Sequence, residues 1–184
     1  MTNQSTPLED AIEELYLKLG VVDPDHPIDD VAERAGITLC YFKNPPFTMR
    51  GVINLDPRHS KEKQKEIFGH ELCHALFHTG IQLIMPDAFR LKQEYQARNF
   101  AFHFCVPTFM LKDIKLPRHR NKAIYKISQI FEVTPVFAEE RLIRYERQLI
   151  GAAFHQEWNK SIAIAEKNTS EYIHSSTNIM NQLY

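Results

Sequence analysis

Neither sign of charge dominates this sequence of 184 residues, where 22 Lys and Arg stand against 23 Asp and Glu. The balance removes any global electrostatic drive toward nucleic acid or anionic lipid, so such binding would have to be local. Long hydrophobic runs are also absent. The richest apolar stretch, Asn99 to Leu111, is interrupted by His103 and Pro107 and falls far short of the roughly 20 residues a bilayer span needs. Met1 to Asp10 is polar and acidic, without the basic start and apolar core of a secretory signal. Cysteines are few and odd in number: Cys40, Cys73 and Cys105 are widely spaced, which argues for reduced thiols in a cytosol rather than a disulfide framework. Their plain role is that of small buried hydrophobes. No internal repeat is present. Together these absences lead us to expect a soluble, cytoplasmic protein with no membrane attachment.

What remains is enough for one core. Hydrophobic residues make up 43% of the chain, which suits a single globular domain, expected over residues 1–150, with a polar tail over 151–184. The spacing of Leu8, Ile12, Leu15, Tyr16 and Leu19 predicts an amphipathic helix ending at Gly20. A short helix follows over Ile28 to Ala35, then a strand over Ile37 to Phe42, closed by Asn44-Pro45-Pro46, and a second strand over Gly51 to Leu55. Ser60 is placed to cap a helix that begins in the charged run Lys61 to Glu66 and is expected to stop at Gly80. Further helices are expected over Phe89 to Cys105, ending before Pro107, over Asn121 to Phe131, and over Pro135 to Leu149.

The chemistry sits on the helix after Ser60. His70-Glu71-Leu72-Cys73-His74 is an HExxH sequence. At about 100° per residue the two imidazoles lie only about 40° apart and one turn above each other, so they can grip one ion. Glu71 lies beside them, where a carboxylate can take a proton from water. Chance would produce such a pentapeptide in roughly a few chains per hundred of this composition, so context decides. The motif lies inside an amphipathic helix, and Gly69 and Cys73 are small enough to admit a neighbouring element.

A catalytic zinc takes three protein ligands and a water. The metzincin pattern is excluded, because the position of its third histidine holds Gly80. His78 shares the ligand face, but at about 6 Å of rise beyond His74 it is too far to join both histidines on one ion; we expect it beside the site, not as a ligand. Glu94 is the better third ligand. It stands twenty residues after His74, as in glutamate-type zincins, and Ala97 and Ala101 make its own helical face smooth enough for close packing.

These residues resemble the ImmA/IrrE family of metallopeptidases. The resemblance rests on Gly51 to Leu55 as the strand motif, His70 to His74 as the metal-binding helix, and Glu94, Ala97, Phe100, Ala101, Phe104, Cys105 and Pro107 on the next; it spans Leu8 to Leu149. Departures are Cys73 in place of the usual glycine, Gln96 in place of a second glutamate, and Arg98, one turn from Glu94 and able to pair with it. The resemblance implies an α+β, mostly helical zincin-like domain with a small sheet packed on the active-site helix. It also implies zinc, with manganese as the other candidate, and a protein substrate, a helix-turn-helix repressor of a mobile element or stress regulon.

Ile124 to Leu149 itself reads as a helix-turn-helix, with Val133-Thr134 at the turn, so a DNA-binding or repressor-binding regulator on a non-catalytic fold is the rival reading. Its second helix mixes Glu139, Glu140 and Glu146 with Arg141, Arg144 and Arg147, whereas a phosphate-binding face should be net positive. No direct nucleic-acid binding is expected. The basic stretch Lys112 to Lys126 reads as a solvated loop. A substrate peptide could be added as a strand along Gly51 to Leu55.

Overall fold

A computed structural model describes residues 5–78 and 85–181, the last fourteen of these by their backbone. Contacts divide the chain into a unit of Ser5–Ile143 and a second unit from Arg144 onward.

In the first unit, α1 (Pro7–Leu19) starts on a capping box, in which Thr6 and Glu9 bond each other's backbone, and stops where Gly20 takes the left-handed conformation at φ 62°. Next come α2 (Ile28–Arg34), β1 (Thr38–Cys40), β2 (Phe47–Met49) and β3 (Val52–Asn54). The sheet order is β1-β3-β2, with β3 parallel to β1 and antiparallel to β2. Hence β3, the strand expected to accept a substrate, is the central one and is paired on both sides. The edge strands are β1 and β2, and β2 is a strand that the sequence did not suggest. β2 and β3 are joined by the two-residue turn Arg50-Gly51, both at positive φ (50° and 77°), the geometry that matches strand twist in a tight hairpin. The turn sets Thr48 opposite Ile53. Ile53 is buried, so Thr48 shares the face turned toward the helix that follows the sheet.

α3 (Lys61–Phe77) is capped by Ser60, which accepts from the Lys63 amide, and ends with His78 in extended conformation. The stop expected at Gly80 lies outside the described residues. α3 packs along α4 (Asp87–Cys105) and against β2 and β3. α5 (Thr108–Leu111), α6 (Arg120–Phe131) and the start of α7 (Pro135–Asn181) close the unit. Arg141, fully buried, donates from Nε to the Val106 carbonyl at 3.0 Å and from a terminal nitrogen to Thr108 Oγ1 at 2.7 Å. Thr108 in turn bonds Glu9, so α7 is tied through α5 to α1.

In the second unit, α7 continues as helix well past Leu149. Gly151 costs about 1 kcal/mol in a helix interior but does not break it. Its exposed side chains include Ile150, Phe154, Trp158 and Ile162, with Phe154 and Trp158 stacked 6.4 Å apart. Among the described residues no helix is long and apolar enough to cross a membrane.

One buried group makes stability depend on pH. His26 Nδ1 donates to the Asp23 carbonyl at 2.8 Å, while its Nε2 is buried against the rings of Tyr16 and Phe104 without a hydrogen-bond partner among the described residues. Burial, then the nearby Lys65 ammonium, push its pKa down to about 4. A depressed histidine pKa means that the folded chain binds fewer protons than the unfolded one between that value and about 6.5. The stabilisation is therefore complete above pH 6.5 and is lost as pH falls through 4. Urea unfolding at pH 7 and pH 4.5 should differ by about 2–3 kcal/mol more in the native chain than in His26→Phe.

Candidate metal centre

The site is built where α3 and α4 pack against each other. Gly69 makes this approach feasible: a Cβ there would lie 2.9 Å from Cys105 Sγ, closer than packed atoms tolerate, and in tight contact with Phe104 Cδ1 at 3.3 Å. Ala97 and Ala101 are buried on the facing side of α4. His70, the residue after Gly69, and His74, one turn further on, project from α3, and Glu94 reaches them from α4.

The three side chains expected as ligands meet here. His70 Nε2 and His74 Nε2 are 3.1 Å apart, and the Glu94 carboxylate oxygens lie 3.2 Å from His70 Nε2 and 3.5 Å from His74 Nε2. All their donor atoms fall within 4.8 Å of one another. Ligands about 2.0–2.1 Å from a tetrahedral zinc stand about 3.3 Å from each other, and the observed separations bracket that value. The donor set therefore fits a zinc-like ion. Burial, followed by the adjacent His70, holds the His74 pKa down to about 4, which keeps its imidazole neutral and its lone pair available. The Glu94 side chain is 43% exposed, so the site opens to solvent on that side.

His78 does not join this cluster. Its Nδ1 lies 2.8 Å from His74 Nδ1, so one of the two must donate. If His74 presents the Nε2 lone pair to an ion, its Nδ1 carries the hydrogen and donates it to His78. Because such supporting bonds are worth about 10–100-fold in metal affinity, His78→Ala should still bind one ion per chain but about tenfold more weakly, measured by competition with a chromogenic chelator. Unchanged affinity would remove the supporting role.

Glu71 is buried beside the ligands, and desolvation raises its pKa while Thr48 and His70 oppose the shift. Thr48 Oγ1 lies 2.7 Å from Glu71 Oε2 and 3.1 Å from the Glu71 carbonyl oxygen. Sequence reasoning missed Thr48, since no motif marks it. Arg98, expected near Glu94, pairs with Glu140 at 2.7 Å.

An HExxH pair on one helix, a glutamate from the next and a small sheet against the first define the class: an α+β, mostly helical, zincin-like domain. Within that class, the Peptidase M78 model, described as the IrrE N-terminal-like domain, matches residues 28–143, and this chain belongs to that peptidase family, ImmA/IrrE. It is 40% identical over 155 residues to the phage-like element PBSX protein XkdA of Bacillus subtilis (strain 168), covering 81% of this chain and 78% of that protein. It is 36% identical over 154 residues to the uncharacterized protein YqaB of the same strain, covering 81% and 90%.

Proposed function

We propose that this chain is a metal-dependent endopeptidase that cleaves one helix-turn-helix repressor, encoded by a mobile element, in the cytoplasm. The observation that carries the reading is the convergence of His70, His74 and Glu94 at 3.1–3.5 Å with a buried carboxylate next to them. The similarity to a phage-element protein supports the biological setting. Residues 1–150 are the catalytic domain in this reading, and the 151–184 extension lies outside the chemistry.

His70, His74 and Glu94 would hold zinc, or manganese. When bound, zinc supplies Lewis acidity, lowering the pKa of water to about 7 and polarising a carbonyl. Glu71 accepts the proton that the attacking water loses and delivers it to the departing amide nitrogen. Thr48 occupies Oε2 of Glu71 and so fixes the carboxylate, leaving Oε1 for that proton. The substrate backbone pairs with the free edge of β2, the strand that carries Thr48, which brings the scissile carbonyl toward Glu71.

Co-expression with the helix-turn-helix repressor of the same element tests the reading. The expected result is one discrete cut, with generic unfolded proteins cut poorly. A repressor that binds and stays intact would favour the non-catalytic regulator instead.

A further inference from the structure

A cavity of about 600 Å³ starts at His70 and runs between α3, α4 and the first turns of α7. That size falls within the roughly 300–1,000 Å³ of ligand sites. Its charges are already paired. Lys63 and Glu66 are 2.9 Å apart, Glu66 also accepts from the Thr134 amide at 2.8 Å, and Arg98 meets Glu140 at 2.7 Å. What is left for a ligand is apolar surface, chiefly Ile67, Val136 and Phe137, over the buried Ala101 and Phe102. Phe102 and Phe137 touch with ring centroids 4.5 Å apart, and Val136 stands 69% exposed.

The occupant follows from position. Ile67 lies three residues before His70 on α3, about 4.5 Å along the axis, close to the roughly 3.4 Å that one residue of extended peptide covers. A substrate whose scissile carbonyl sits at His70 therefore directs a neighbouring side chain, not a remote one, into this groove. We propose that the groove is the specificity subsite for a bulky aliphatic or aromatic side chain flanking the cut bond, with the start of α7 as its wall. The proposal rests on the endopeptidase reading for its occupant. It also gives the segment that reads as a helix-turn-helix a different use, since Val136 and Phe137 face the groove.

The test uses the full chain loaded with zinc and two probes that share one chelating group, N-acetyl-leucine hydroxamate and N-acetyl-glycine hydroxamate, titrated calorimetrically. The leucine probe should bind about 10- to 100-fold tighter. Val136→Asp and, independently, Ile67→Ser should cut that preference below about threefold, with the glycine probe unaffected. Equal binding of both probes by the native chain would overturn the groove while leaving the metal reading intact. Should neither hydroxamate bind, the metal reading fails, and the groove is judged alone by methyl NMR. In that case N-acetyl-leucinamide should shift the Ile67 and Val136 methyl signals and N-acetylglycinamide should not; absence of a leucine-dependent shift overturns the proposal.

Discussion

Purified chain is expected to hold about one metal ion, and His70→Ala, His74→Ala and Glu94→Ala should each lose most of it, because removing one of three ligands leaves an incomplete site. The effect should be large for all three, since their donor atoms stand at one another's contact distances. Folding should survive. Glu94 is half-exposed and His70 lies at the end of an open groove, so alanine at either leaves no large cavity. Elemental analysis after dialysis gives occupancy, and circular dichroism gives the fold. Metal binding also stabilises the folded chain by about 4 kcal/mol at a free concentration a thousand times its dissociation constant, so added zinc should raise the melting temperature of native chain far more than that of the variants. Full occupancy in Glu94→Ala would sink the assignment of Glu94, and loss of the ion in His78→Ala would move the third ligand there.

Much of this site is legible because α-helical spacing is short-range. His70, Glu71 and His74 lie within five residues, so the period of the helix alone fixes their relation. Glu94 requires two helices to pack, and that too leaves a trace in sequence, in Gly69 on one side and Ala97 and Ala101 on the other. Thr48 leaves none. It reaches Glu71 through a hairpin of three-residue strands, with Arg50 at positive φ, where the usual turn signal would be Asn or Asp before the glycine. The same short hairpin reverses the expected role of Gly51 to Leu55: strand order is set by which partners pair, a long-range matter that β-propensity does not encode. The helix-turn-helix pattern of α6 and α7 was legible as helices and turn. Its surroundings were not, and they place Thr134, Val136 and Phe137 along a groove that begins at His70.

Glu71→Gln should keep fold and metal while lowering cleavage by about 10²- to 10⁴-fold, the usual contribution of a positioned general base. Gln matches Glu in size and helix preference, and its carbonyl oxygen can still accept from Thr48 Oγ1, so the side chain should stay where the carboxylate was. What it cannot do is accept the proton from the attacking water. The loss should therefore fall on kcat, with KM little changed, because ground-state binding of the substrate does not use that oxygen. Thr48→Val provides the graded comparison. It frees the Glu71 carboxylate without removing it, so kcat should fall by about tenfold, far less than in Glu71→Gln, and Thr48→Ser should restore most of the rate. Co-expressed with the repressor proposed as its substrate, Glu71→Gln should leave that protein intact, and a trapped complex of the two is the expected companion of that result. Cleavage at the native rate in Glu71→Gln, with full metal content, would remove Glu71 from the mechanism and leave the buried carboxylate a structural partner of Thr48.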